Sequence, residues 1–409
     1  MAALKALTKA RVAVLYQALD PPVLGGVFKP KKPSGYRDSS ADIAYTLSRL
    51  GQQGGRPSPP GTASGPQLEV VTPVAQPDPA NDANWSFPDS EAGILDAVDR
   101  HGVTHLWANT ILFSTHPLQI SAGLDRYQSS LRVVCQPPRR VEAYDDKSLV
   151  HQILQSWNRT HDESRRFTLP VSKTVHVGTG NPPTGVLAVA REMGYPVVAK
   201  PVRGRGSFGV KVCRSDEELA AHVEMLKKTS GDALILEEYL SGEEATVTVM
   251  PVSGASSTTA EQDSTANGGR LYQALPVVTR FGHVDGVAPY NGTVAVSANS
   301  RVVTAAESQG DPAYARIMRE CEDVAQLLGM TSVIRIDVRR SAPGGAFRIF
   351  DVNMKPNMTG PGRPGRDDQT SLSGMAAAGL GWDYGTFLTK ILQAAPTLQT
   401  LREAQVLHK

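Results

Sequence analysis

Residues 333–358 read VIRIDVRRSAPGGAFRIFDVNMKPNM, and this stretch decides how the chain folds. Ile334, Ile336 and Val338 alternate with Arg335, Asp337 and Arg339, and a second run, Phe347 to Val352, follows the turn signal Pro343-Gly344-Gly345. Period-two alternation on either side of a turn predicts two antiparallel strands. Side chains at i and i+2 share a strand face, so Arg335 stands beside Asp337, and Asp351 beside Asn353. Oxygen-bearing side chains thus converge next to an arginine. Hard divalent cations take carboxylate and amide oxygens, and magnesium typically adds substrate phosphates to one or two carboxylates. A solvated ion pair would account for Arg335 and Asp337 alone. Asp351-x-Asn353-x-x-Pro356-Asn357 directly after an apolar strand fits a metal site as well as it fits a solvated strand face.

A chain of 409 residues, 40% hydrophobic and 20% charged, predicts a globular protein of two or three domains. Its 42 basic and 40 acidic residues balance to +2, with no long basic run, which argues against a nucleic-acid surface. Cys135, Cys213 and Cys321 lie far apart, outside any metal-ligand spacing, as in a reducing compartment. No apolar run approaches the ~18 residues that span a bilayer. The basic start (Lys5, Lys9, Arg11) leads into Val12–Tyr16, read as a first buried strand rather than a transit peptide. The expectation is a cytoplasmic protein with neither nucleic acid nor membrane as partner.

Residues 1–145 read as an N-terminal α/β domain: strand Val12–Tyr16, a Pro/Gly-rich loop through Pro33, a helix from Asp42 to Leu50, and a flexible insertion over 51–66. A helix over Glu91–His101 and a strand over His105–Asn109 follow. His101, His105 and His116 share no face and are read as structural. A central unit, 146–241, opens with a helix over Asp145–Gln155 and a loop over Asn158–Arg166. It continues with a helix over Thr184–Met193, the strand Val197–Lys200, a capped helix from Ser215 and the strand Leu234–Leu236. Residues 242–409 form the C-terminal unit, with a Ser/Thr/Gly-rich loop over 253–269 expected to be disordered, and a helix over Tyr314–Leu328 ending at Gly329.

Gly204-Arg205-Gly206-Ser207-Phe208-Gly209 matches GxGxxG, but the dinucleotide fingerprint needs a helix immediately after it. Here the strand Val210–Cys213 follows. A glycine-rich β-loop-β covers a triphosphate instead, because glycines let backbone amides approach phosphate oxygens. Lys200 supplies a cation at the end of the strand before it. Glu237-Glu238-Tyr239-Leu240, followed by the turn at Ser241-Gly242 and then Glu244, suits an adenine docked on an inter-domain connection, with a carboxylate for the ribose.

In this order the parts resemble the ATP-grasp superfamily, and within it the D-alanine:D-alanine ligase-like carboxylate-amine ligases, over about residues 145–388. The parts are Asp146-Lys147, Val198-Ala199-Lys200-Pro201 with the glycine hairpin, Leu236 to Val247, Arg335-Ile336-Asp337-Val338 and Asp351-x-Asn353. The resemblance implies an α/β (α+β) ATP-grasp fold of three domains with ATP between the central and C-terminal ones, and ATP with one or two Mg2+ as cofactors. It places Lys147, Lys200 and the turn residues Gly204, Gly206, Ser207, Phe208 and Gly209 on the phosphates. Glu237, Glu238, Tyr239 and Leu240 go to the adenine and Glu244 to the ribose. Asp337, Asp351 and Asn353 would hold metal, while Arg335 and the backbone near Asn357 would meet a tetrahedral oxyanion. The implied reaction activates a small carboxylate as an acyl phosphate, with release of ADP, for attack by an amine; a homodimer is compatible with it. Several features depart from the pattern. Asp351 stands where the family has Glu. Trp107–His116 occupies the place of the His-Gly and Gly-Glu-Asp-Gly signature, pointing away from D-alanine as substrate. Gly286–Gly292 stands where a lysine and tyrosine close the site. Lys355, Arg363, Ser371 and Leu372 are the candidate substrate residues, with residues 360–369 inserted before the last two. A catalytically silent ATP-binding regulatory protein is the alternative. A kinase-like enzyme would need an HRD-like loop that the chain lacks.

Overall fold

The structure is a computed structural model and describes residues 10–24, 31–54, 68–177, 183–204, 206–229, 233–252, 270–283, 285–287 and 296–407. The predicted loop 253–269 and most of the predicted insertion 51–66 lie outside these residues. Among the described residues the strands form three sheets.

The first sheet is parallel, in the spatial order Leu68–Val70, Ala10–Tyr16, His105–Asn109, Arg132–Val134, with Phe87–Pro88 against the end of the first strand. A parallel strand covered on both faces reads as a continuous apolar run, which is why Val12-Ala13-Val14-Leu15 shows no alternation. Val12 and Val14 face the helix Arg37–Gly54, and Ala13 and Leu15 face Ile94, Leu106 and Leu118. That helix begins five residues before the predicted start and continues through Gly54, so the segment read as an insertion at residue 51 is still helical there.

The central sheet is antiparallel, in the order Ser172–His176, Ala233–Glu238, Val197–Pro201, Lys211–Cys213. Helices Thr184–Met193 and Asp216–Thr229 cover one face. Val186, Leu187, Ala190, Leu219, Val223 and Leu226 pack there on Val197, Ala199, Leu234 and Leu236. Alternation along the strands sends Val198, Lys200, Val212 and Glu237 to the opposite face. Glu237 and Glu238 lie within the strand rather than after it.

The third sheet runs Ser300–Val302, Val278–Arg280, Glu244–Pro251, Ile334–Arg340, Phe347–Asn353, with Tyr272–Ala274 also on Glu244–Pro251. Helix Pro312–Leu328 lies beneath it. Asp311 caps its start, Gly329 in the left-handed region (φ 64°) ends it, and Tyr314, Ile317, Cys321, Val324 and Leu328 form its buried stripe. Ile334, Ile336 and Val338 meet this stripe, which leaves Arg335, Asp337 and Arg339 on the other face. The two strands of the opening stretch pair as predicted, Arg335 with Asn353 and Asp337 with Asp351. The register then shifts, and Val338 pairs with Ile349. This β-bulge at Phe350 allows Phe347, Ile349 and Val352 all to be buried although the last two are three residues apart. Helix Lys147–Thr160 runs five residues further than the predicted helix, over part of the predicted loop, and buries Val150, Ile153 and Leu154 in the same core.

Candidate active site

One cavity gathers the polar faces of the second and third sheets and the tips of the first. The central sheet contributes Val198, Lys200, Val212 and Glu237–Leu240, and the turn after it Gly204, Gly206, Ser207 and Phe208. The third sheet contributes Glu244, Arg280, Arg335, Asp337, Arg339 and the run Phe350–Lys355, followed by Asn357. Tyr36, Ile111, Val141, Tyr144, Asp145 and Lys147 also line it.

The turn is built for close approach: Gly206, Ser207 and Gly209 all have positive φ (60°, 57°, 71°). A Cβ on Gly209 would sit 2.8 Å from Leu226 Cδ2, so this position admits only glycine without rearrangement. Gly209 lies behind the turn and does not line the cavity, unlike the other turn residues singled out from the sequence.

Ion pairs fix the charged groups. Lys200 Nζ, almost fully buried, donates to both Glu237 carboxylate oxygens at 2.9 and 3.0 Å and to the Phe350 carbonyl at 3.2 Å. Burial pushes the Glu237 carboxyl above the usual carboxylate range in spite of this lysine, and the nearby Asp351 and Glu238 push it the same way. Lys147 Nζ lies 3.0 Å from Asp351 Oδ1 and donates to the Gly204 carbonyl at 3.3 Å, tying the glycine turn to the third sheet. Burial works against the charge on both partners, yet Asp351 is held low by Lys147 and Lys200, and Lys147 is held high chiefly by Asp351. Arg335 makes a two-pronged pair with Asp337 (Nε–Oδ1 2.8 Å, Nη2–Oδ2 2.9 Å), and Asn353 Nδ2 donates to Asp337 Oδ2 at 3.0 Å. Glu244 sits among His283 (2.9 Å), Arg280 (3.4 Å) and Arg339 (3.5 Å). Burial would raise its carboxyl, but these three groups hold it below its ordinary value.

Two adjacent carboxylates and an amide form the donor set that a hard divalent cation shares with phosphate oxygens, so Asp337, Asp351 and Asn353 fit magnesium held jointly with a nucleotide. Among the described residues no group of three or more His, Cys, Asp or Glu forms a metal site of protein ligands alone.

Arg335, Asp337, Asp351, Asn353, Lys355, Asn357, Lys147, Lys200, the Glu237–Leu240 segment and Glu244 are brought together. Glu238 lines the cavity with its carboxylate bound to Arg348 and the Val171 amide. Three candidate substrate residues are not brought there. Arg363 is 1% exposed and bound to Asp42 (2.7 Å), Asp82 and the carbonyls of Asp38 and Asn81. Ser371 caps the helix Leu372–Ala378 through the Gly374 amide at 3.1 Å, and Leu372 is buried in the core. Of the stretch 286–292, which stands where the resemblance would have a closing lysine and tyrosine, Gly286 and Val287 line the cavity; positions 288–292 lie outside the described residues. Sequence reasoning missed Arg339, Arg280 and Tyr36. Arg339 had a signal, since it continues the i, i+2, i+4 face of Arg335 and Asp337. No helix among the described residues is long and apolar enough to cross a membrane.

The D-ala D-ala ligase C-terminus family model matches residues 168–393. The chain is 27% identical over 207 residues to the D-alanine–D-alanine ligase of Mannheimia succiniciproducens, covering 51% of this chain and 56% of that protein. With the D-alanine–D-alanine ligase of Xanthomonas axonopodis pv. citri it shares 23% over 225 residues, 55% of this chain and 60% of the relative. The chain thus spans little more than half the length of these curated relatives. Over 96% of this chain and 98% of the other, it superposes on the D-alanine–D-alanine ligase from Bacillus anthracis complexed with ATP, with a TM-score of 0.55 at 15% identity. For the VanG D-Ala:D-Ser ligase from Enterococcus faecalis the TM-score is 0.57 at 13% identity, over 94% and 99% of the two chains. These structural likenesses carry the fold, which is ATP-grasp. With the family model covering more than half of its length, the chain belongs to the D-ala D-ala ligase C-terminus family.

Proposed function

We propose that the protein is an ATP-dependent, ADP-forming ligase that joins a small carboxylic acid to an amine. The observation carrying this reading is that a glycine turn, the buried Lys200, the half-buried Lys147 and the Arg335/Asp337/Asp351/Asn353 face line one cavity. In this reading ATP lies with its phosphates under the turn, its base against Glu237–Leu240 and its ribose near Glu244. Magnesium held by Asp337, Asp351 and Asn353 would add positive charge beside the phosphate oxygens. Lys147 and Lys200 neutralise charge on the transferring phosphoryl group. An oxygen of the donor carboxylate attacks the γ-phosphorus, and the bond to the β–γ bridging oxygen breaks, its electron pair leaving on ADP. The amine lone pair then attacks the carbonyl carbon of the acyl phosphate. Arg335 donates to the oxyanion, the C–O bond to phosphate breaks, and the amine proton leaves to solvent.

The test is ADP release with Mg2+ and ATP over a panel of acids and amines, alone and in pairs, with mass spectrometry of the products. The reading expects ADP and a new amide in equal amounts for at least one pair. ATP binding with neither ADP nor amide across the panel would support the catalytically silent alternative.

A further inference from the structure

The cavity wall that comes from the N-terminal part of the chain has a chemistry of its own. Tyr36, Ile111, Val141 and Tyr144 make it apolar and phenolic, and Lys355 reaches it from the other side. Lys355 belongs to a face that continues past the end of the hairpin: Asp351, Asn353, Lys355 and Asn357 are half-buried and line the cavity, and the residues between them are buried. Its Nζ donates to Asn109 Oδ1 at 3.0 Å and lies 3.7 Å from the centre of the Tyr36 ring. Asn109 is itself held, its Nδ2 donating to the Ser39 and Ser40 hydroxyls at 3.0 and 2.9 Å, so its oxygen is turned toward the lysine. The ammonium is therefore placed in advance beside an apolar wall, where a pairing with an anion is least screened.

An ammonium brought by a substrate has no such provision. Every carboxylate among the described lining residues already faces a cation of the chain: Asp145 faces Arg203, Asp337 Arg335, Asp351 Lys147, Glu237 Lys200, Glu238 Arg348 and Glu244 Arg280. The sequence from 21 to 37, which holds Tyr36, has no Asp or Glu, nor has 286 to 306.

We propose that this wall receives a second, non-reacting carboxylate from one of the two small molecules, with Lys355 as its partner and Tyr36, Ile111 and Tyr144 against its carbon skeleton. The carboxylate belongs either to a dicarboxylic acid donor or to an amino acid acting as the amine. This inference rests on the ligase reading.

Calorimetry with a non-hydrolysable ATP analogue and Mg2+ tests it. Succinate, glutarate and phenylsuccinate serve as diacids, alanine and phenylalanine as amino acids, and butyrate, phenylacetate and phenylalaninamide as partners lacking the second carboxylate. At least one diacid or amino acid is expected to bind, and Lys355→Met to weaken it by about 30-fold, the loss typical of a half-buried charge-assisted pair. The analogue and the probes without a second carboxylate should bind both proteins within about 2-fold, which also reports folding, and Lys355→Arg should keep most of the affinity. A diacid response locates the carboxylate on the donor, and an amino acid response on the amine. Equal affinity of wild type and Lys355→Met for every bound carboxylate, or no binding by any diacid or amino acid, overturns the proposal. A Lys355-dependent affinity with no ADP release from any acid–amine pair instead sinks the ligase reading and leaves the carboxylate site standing.

Discussion

At Lys200 a single ammonium serves two demands. It neutralises Glu237 in the interior, and it faces the cavity where phosphates are proposed to lie. Removing one member of a buried pair strands the other, so Lys200→Met should cost about 3 kcal/mol in stability by chemical denaturation, besides weakening ATP binding. Glu237→Gln added to it should restore most of the stability but not the ATP affinity measured by calorimetry; recovery of both would remove Lys200 from the nucleotide site. His151 makes a different prediction. Burial, with Lys200 nearby, lowers it to about 4 from 6.5, and its Nε2 has no hydrogen-bond partner among the described residues. The folded state therefore keeps the neutral ring while the unfolded chain takes up a proton. Stability is complete above about pH 6.5 and falls as the pH drops toward 4, by on the order of 2 kcal/mol for this residue. His105, also held to about 4 by burial, adds the same slope. Denaturation midpoints between pH 7 and 4 should decline less steeply for His151→Gln than for wild type, and an unchanged slope would mean that His151 titrates at the same pH in both states.

The hairpin of residues 334–353 shows what an element carries beyond its residues. Alternation along one strand sets Arg335 beside Asp337, and two parallel hydrogen bonds join them, a geometry that lysine cannot reproduce. Arg335→Lys should lower turnover about 100-fold or more with little change in ATP affinity. Loss of both together would move Arg335 into the nucleotide site, and loss of neither would make it a structural ion-pair partner. This element was legible in the sequence because one face is buried and the other polar, and period two survives from Ile334 to Arg339. The bulge was legible only in part, as the break from two to three in the spacing of Phe347, Ile349 and Val352. Ser371 lies off the cavity for a reason no local pattern separates, since a helix N-cap and a substrate hydroxyl share the same residue type, and here Ser371 accepts from the Gly374 amide. Arg363 could not be placed at all, since its partner Asp42 lies 321 residues earlier and no local pattern links them.

Across the molecule, the first and third sheets share their interior: Leu15 and Ile336 fall in one apolar cluster, Val14 and Val278 in another, while the central sheet and its two helices keep a separate core. Asp42, fully buried in the helix Arg37–Gly54, binds Arg363 and Arg366 and so ties the N-terminal part to the segment after the hairpin. Arg363→Ala should destabilise the protein by about 3–5 kcal/mol, because one partner of a buried charge is lost. A midpoint within experimental scatter of wild type would mean that Arg366 suffices alone. Every catalytic role proposed for the cavity where the sheets meet requires a carboxylate to be activated by phosphoryl transfer. The most direct measurement uses an acid–amine pair that releases ADP, with the acid carrying 18O in its carboxylate. Attack on the γ-phosphorus followed by amide formation predicts one 18O in each phosphate released, alongside ADP. Unlabelled phosphate, or label carried away on AMP, would contradict it.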